Sequence, residues 1–445
     1  MKPLRIAVVG GGWAGMAAAV TAAKAGHPVT VFEATRQWGG RARGLPVADA
    51  SGRPLTLDNG QHILIGAYRD SLALMRTVGV APKAALLRLP LCMRFADGSG
   101  LALPRGPVPL DLLAGILLAP GWRWADRWSL LLASARWQWA RFRCPPACTV
   151  ADLCTGLTPT VLQTLIEPLC VSALNTPMEQ ASGQVFLRVL RDALLGGWGS
   201  SNLLLPRTDL SALFPAAAAQ WLRDRGSRLK LGTRIQHIAC EERAGHRSWQ
   251  LDGEAFDAVV WATAPGPASQ VLGQAEGLLA PALHAWAEQA AALQHEAIAT
   301  VYVQAGQRRL PRPMLALRSG PGAPAQFVFD RGRLGGPAGL LAFVASASQD
   351  ERGTLQQQVL QQAQAQLAPW LDGQPLDVLQ TVVEKRATFA CTPGLQRPTQ
   401  SVAAGLWACG DYVEGPYPAT LEGAVRSGMA AARAAIKMPR AAARL

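Results

Sequence analysis

The chain has 445 residues, 49% of them apolar and 16% charged, which excludes a mainly disordered protein and allows two or three domains with a sizeable core. Lys and Arg number 43 against 30 Asp and Glu, a net charge of +13, but only six of the 43 are lysine. The arginines are dispersed and no nucleic-acid-binding motif accompanies them, so no nucleic-acid partner is expected.

Residues 5–9 are a short run rich in Val and Ile, the pattern of a buried strand. Gly10-Gly11-Gly12-Trp13-Ala14-Gly15 follows, and an Ala-rich helix is predicted over 16–25, ending at Gly26. A second strand at 28–33 closes a βαβ unit. The apolar stretch 6–20 resembles a secretory signal, yet a signal needs neither these glycines nor the strand behind it. Gly39-Gly40-Arg41-Ala42-Arg43 is a glycine-basic loop, and polar turns lead on to Asp58-Asn59-Gly60-Gln61-His62.

From 70 to 225 the pattern is mainly helical, broken by proline-rich turns. Residues 228–238 and 248–251 alternate as strands, and 256–263 is a strand ending in Ala264-Pro265. Further strands are predicted at 297–304, 326–330, 340–346 and 378–386, with a Gln-rich helix at 353–367. A last strand at 405–408 leads through Gly410-Asp411 into a helix at 421–438. No run approaches 18 apolar residues, so no transmembrane helix is expected. The eight cysteines make no CxxC pair and no zinc-spaced set; they read as reduced thiols of a cytoplasmic protein without a metal site.

Gly10-x-Gly12-x-x-Gly15 sits between a strand and a helix, where glycines permit a tight turn and let a pyrophosphate approach the helix N-terminus. Glu33 ends the second strand, where a carboxylate accepts hydrogen bonds from ribose hydroxyls. Three features favour FAD over a nicotinamide: the Gly39–Arg43 loop, the small-residue strand end at 262–265, and Gly410-Asp411 ahead of the last helix.

These ends of the chain resemble the FAD-dependent amine oxidase and phytoene desaturase superfamily. Asp58-Asn59-Gly60-Gln61-His62, Glu167-Pro168-Leu169 with Ala173-Leu174-Asn175-Thr176-Pro177, and Tyr417-Pro418-Ala419-Thr420-Leu421-Glu422-Gly423-Ala424 resemble its squalene-associated branch, the hydroxysqualene dehydroxylases. The resemblance covers essentially the whole chain. It implies FAD contacts at Gly10, Gly12, Ala14, Gly15, Glu33, Gly40, Arg41, Gly60, Gln61, Ile235, Gly410, Asp411, Thr420, Leu421 and Ala424, with Ile235 on a strand. The implied reaction is reductive dehydroxylation of hydroxysqualene, a C30 isoprenoid, to squalene, fed by an electron donor that the sequence does not identify. Tyr417 and His62 are the candidates for the proton that the departing hydroxyl needs. Phytoene desaturases usually carry a Gly-Gly pair where this chain reads Leu205-Pro206-Arg207-Thr208-Asp209-Leu210, which argues against a carotenoid substrate. Many amine oxidases use a mid-chain lysine, and none lies between Lys230 and Lys385.

Trp122, Trp124, Trp128, Trp137 and Trp139 interleave with Arg123, Arg127, Arg136, Arg141 and Arg143, after the apolar stretch 110–119. This reads as a helix at a membrane interface, placing the protein peripherally at the inner face of the cell membrane. The expected fold is α/β: an FAD-binding Rossmann-like domain from 1–70, 226–270 and 401–445, an inserted mixed-sheet substrate domain at 271–400, and a helical, membrane-facing region at 71–225.

Overall fold

A computed structural model describes residues 3–49, 51–243, 246–348 and 351–438. The architecture is α/β. Strand Ile6–Val9 pairs in parallel with Val29–Glu33 on one side and Ala258–Trp261 on the other. Arg228–Leu231 extends the sheet beyond Val29–Glu33, while Leu406–Ala408 and the antiparallel Ser401–Ala403 extend it the other way. Its central strands are buried on both faces, which is why they read as continuous apolar runs instead of alternating ones. Residues 1–70, 226–270 and 401–445 thus supply every strand of this six-stranded sheet.

Helix Trp13–Lys24 packs against helix Leu421–Ile436 at van der Waals range. A Cβ on Gly428 would lie 2.0 Å from the Ala14 carbonyl oxygen, so glycine is what permits this approach. The first helix begins at Trp13, three positions before the sequence pattern suggested, because the extended Gly12 serves as its N-cap.

A second, antiparallel sheet runs in the order Met314–Ala316, Phe327–Asp330, Leu340–Ser346, His295–Gln304, Asp377–Phe389. Its strand His295–Gln304 alternates as a two-sided strand must. Ala299, Val301 and Val303 pack with helix Arg352–Leu371, while Thr300 and Tyr302 point the other way, to the loop 58–61.

Region 71–225 is mainly helical and also holds the strands Leu86–Leu89, Cys92–Arg94, Gly100–Ala102 and Leu203–Pro206, too short to show alternation. Two expectations need correction. The run 228–238 is two strands of different sheets, Arg228–Leu231 and Ile238–Arg243, and Ile235 lies in the connection between them. The run 256–263 is likewise divided, its first residue closing the small sheet that ends with Glu254–Phe256 and Ala258–Trp261 joining the central one. Among the described residues no helix is long and apolar enough to cross a membrane.

Candidate active site

A cavity of about 810 Å³ opens where the two large sheets meet. One end is built from the turn after the first strand. Gly10 has φ +116°, and a Cβ there would meet the Ala262 carbonyl oxygen at 2.6 Å. Gly12 caps the first helix without any side-chain hydrogen bond, and no acidic residue occupies the first turn. The helix N-terminus therefore presents free N–H groups and a positive dipole end at a cavity wall. Glu33 is buried, its Oε2 accepting from the Gly11 N–H at 2.7 Å and its Oε1 from the Thr35 N–H at 2.8 Å.

Arg41 reaches across to the C-terminal stretch. Its Nη2 donates to Asp411 Oδ1 at 2.5 Å and its Nη1 to the Ala387 carbonyl at 2.7 Å. Asn59 steadies the loop by donating to the Arg41 carbonyl at 3.1 Å. Arg43 also lines the cavity, and its Nε is buried without a partner. Thr420 caps the last helix, its Oγ1 accepting from the Gly423 N–H at 3.1 Å, and Gly410 N–H donates to Ser427 Oγ at 3.2 Å. An uncapped helix end, an unpaired guanidinium nitrogen and a glycine-lined turn together fit an anionic dinucleotide.

Of the residues singled out in the sequence, Gly10, Gly12, Ala14, Glu33, Gly40, Arg41, Gly60, Gln61, His62, Ile235, Gly410, Asp411, Tyr417, Thr420, Leu421 and Ala424 all line this cavity. Gly15 does not; it is a packing glycine, since its Cβ would lie 1.9 Å from the Gly10 carbonyl oxygen.

The middle of the cavity is bounded by the loop 58–62. Asp58 is fully buried, and its Oδ1 accepts from the Leu210 N–H at 2.8 Å. Its Oδ2 lies 3.7 Å from the buried Arg331, which donates to Gln61 Oε1 at 3.1 Å. Burial raises the Asp58 carboxyl to about 6, against the opposing pull of Arg331. His62 Nδ1 lies 2.9 Å from the Gly60 carbonyl oxygen, an acceptor only, which assigns the proton to Nδ1 and leaves Nε2 as an acceptor. Burial, helped by the nearby Arg41, holds this imidazole below its ordinary pKa and hence neutral at pH 7.

The far end is apolar, walled by Leu91, Met93, Leu169, Val189, Phe327 and Phe329. One polar cluster interrupts it. Tyr417 OH donates to Asp192 Oδ2 at 2.8 Å and accepts from Arg188 at 3.2 Å and Arg426 at 2.9 Å. Both guanidinium groups also lie about 5 Å from the phenol ring centre. Burial and the Asp192 contact raise the Tyr417 pKa, so the phenol keeps its proton at neutral pH. Tyr417 also lines a smaller polar cleft of about 360 Å³, bordered by Asp70, Arg397 and Arg433, and so forms a partition between the two spaces. Asp192, Arg188 and Arg331 were not foreseen from the sequence: each is an ordinary charged residue until tertiary contact places it. Among the described residues no lysine lines the cavity, and no cluster of His, Cys, Asp and Glu suited to a metal ion occurs.

A family model described as flavin containing amine oxidoreductase matches residues 13–436. The chain is 29% identical to the hydroxysqualene dehydroxylase of Rhodopseudomonas palustris over 96% of both chains. It is 27% identical to the enzyme of the same name from Sinorhizobium fredii, over 98% of this chain and 99% of that one. Among solved structures, cyclohexylamine oxidase from Brevibacterium oxydans superposes with a TM-score of 0.68 at 16% identity, covering 98% of this chain and 99% of that one, a likeness of fold.

Proposed function

Because the chain belongs to the flavin containing amine oxidoreductase family, whose members are FAD-dependent oxidoreductases, we propose that it removes the allylic hydroxyl of hydroxysqualene to give squalene and water. The near-full-length similarity to two hydroxysqualene dehydroxylases supports that substrate. The observation that carries the reading is Tyr417, a protonated phenol that with Asp192 interrupts an apolar wall.

The helix Trp13–Lys24 terminus, Glu33, Arg41, Asp411 and the Thr420–Ala424 turn would hold FAD, which, once reduced by an external donor, would supply the hydride. The remaining chemistry falls to side chains. Hydroxide is a poor leaving group, so the carbon–oxygen bond breaks only as a proton reaches the oxygen, which departs as water. We assign that proton to Tyr417 Oη and not to His62, whose Nε2 carries none. Arg188 and Arg426, hydrogen-bonded to the same oxygen, stabilise the phenolate left behind. Asp192 orients the hydroxyl by accepting its hydrogen bond, and Tyr417 and Arg426 border the polar cleft from which a proton can return. The apolar wall excludes water and selects a hydrocarbon chain by shape.

Incubation of the holoenzyme with hydroxysqualene and a chemical reductant, followed by lipid extraction, tests this: squalene is expected. Recovery of unaltered hydroxysqualene from enzyme with intact, reducible FAD overturns it.

A further inference from the structure

We propose that helices Leu110–Leu117 and Trp124–Trp139 form a face that docks on an anionic lipid bilayer. Eight of the twelve large apolar side chains exposed among the described residues lie here: Leu110, Leu113, Leu117 and Leu118 on or just after the first helix, Trp124, Trp128, Leu132 and Trp139 on the second. At about 100° per residue, the last four fall within an arc of about 80°. Asp126, Leu130, Ala133 and Trp137 occupy the opposite arc and are buried. The helix is thus packed on one side and apolar on the other, and Trp139 is 91% exposed.

Charge commits the face to one occupant. Between residues 98 and 151 the acids are Asp111 and Asp126, both buried. Asp126 is consumed locally, accepting from the Arg123 N–H at 2.7 Å and from Thr158 Oγ1 at 2.6 Å. Arg105, Arg123, Arg136, Arg141 and Arg143 are exposed around the apolar arc, and the Arg127 guanidinium lies 5.1 Å from the Trp124 ring centre. The nearest exposed acids, Asp97 and Asp152, lie outside both helices, and Asp97 is paired with Arg318 at 3.1 Å. An apolar stripe rimmed by cations, with no exposed acid on either helix, matches an anionic headgroup layer over hydrocarbon. A protein partner needs no such uniform sign. Trp residues with an apolar body and a polar N–H suit that boundary.

The face also stands close to the cavity. Helix Leu110–Leu117 sits on the hairpin of Cys92–Arg94 and Gly100–Ala102, where a Cβ on Gly115 would lie 2.5 Å from the Leu103 side chain. Met93 of that hairpin lines the cavity. The docking proposal does not depend on the identity of the substrate.

The test is co-sedimentation of the FAD-loaded protein with phosphatidylcholine vesicles, with and without phosphatidylglycerol. Binding to the phosphatidylglycerol vesicles is expected, weakened by salt. Trp124→Ser/Trp128→Ser/Trp139→Ser should weaken it at least tenfold with the flavin spectrum unchanged. Arg123→Gln/Arg141→Gln/Arg143→Gln should remove the preference for the anionic vesicles. In the unaltered protein, brominated lipid should quench indole fluorescence, a reading that needs no variant. Equal vesicle binding by the tryptophan variant, or no quenching, overturns the proposal. So does a concentration-dependent dimer by light scattering that the tryptophan variant abolishes, since a second copy would then cover the face.

Discussion

Arg41 and Asp411, 370 positions apart, meet at 2.5 Å and tie the glycine-basic loop to the end of the last parallel strand. The pair joins two of the three stretches that build the central sheet, at the wall where the dinucleotide is proposed to lie. Arg41→Ala leaves Asp411 without its cation and removes a guanidinium proposed to face the cofactor phosphates. FAD affinity should fall at least tenfold, which is about 1.4 kcal/mol. Arg41→Lys should recover only part, because an ammonium cannot hold Asp411 and the Ala387 carbonyl in one planar fork. Recovery of free-flavin fluorescence on dilution measures both; an unchanged dissociation constant removes Arg41 from the site.

Gly428 allows the last helix to touch the first. Gly428→Val should lower stability by about 1–3 kcal/mol or more and loosen FAD, since the same helix presents Thr420, Leu421 and Ala424. Gly353→Ala, in open space on helix Arg352–Leu371, should be neutral or slightly stabilising. Thermal melts of the two variants provide the comparison, and equal melting temperatures would contradict the packing argument.

Asp58 makes a pH prediction. Its folded pKa of about 6 lies above its ordinary 3.8. Between these values the native state holds a proton that the unfolded chain has lost, so stability falls as pH rises from 4 to 6 and levels off above. The size is on the order of 3 kcal/mol. Asp58→Asn should flatten that fall when melting temperatures are followed across pH 4–7. An identical slope in the variant would show that Asp58 is ionised throughout.

Tyr417→Phe should leave FAD and substrate binding intact and reduce turnover by about 10²- to 10⁴-fold. Asp192→Asn removes one of the contacts that raise the phenol's pKa. The alkaline limb of its rate profile should therefore move to lower pH. A Tyr417→Phe enzyme with undiminished turnover would place the proton donor elsewhere.

The cofactor end was legible because its signal is local: three glycines, a strand, a helix and Glu33 lie within one βαβ unit. The catalytic wall was not. Tyr417 belongs to a recognisable segment, but Asp192 lies 225 positions away and only the packed fold brings the two within 2.8 Å. Arg331 is likewise 270 positions from Gln61. Ile235 lines the cavity although its strand did not form, since the alternation of 228–238 continues through a break that periodicity does not register. The five tryptophans of 122–139 do not share one face. Trp122 donates to Thr164 Oγ1 at 3.1 Å and Trp137 packs inward, so only Trp124, Trp128 and Trp139 face out. Helical period alone separates Trp137 from these three.

Mixing anaerobically reduced flavoprotein with hydroxysqualene, while following flavin absorbance and extracting the lipid, reads the direction of hydride flow. Reoxidation of the flavin with formation of one squalene per flavin is expected. Reduced flavin that persists, together with oxidised enzyme that bleaches on addition of squalene or phytoene, would contradict it, because hydride would then flow from the hydrocarbon to the cofactor.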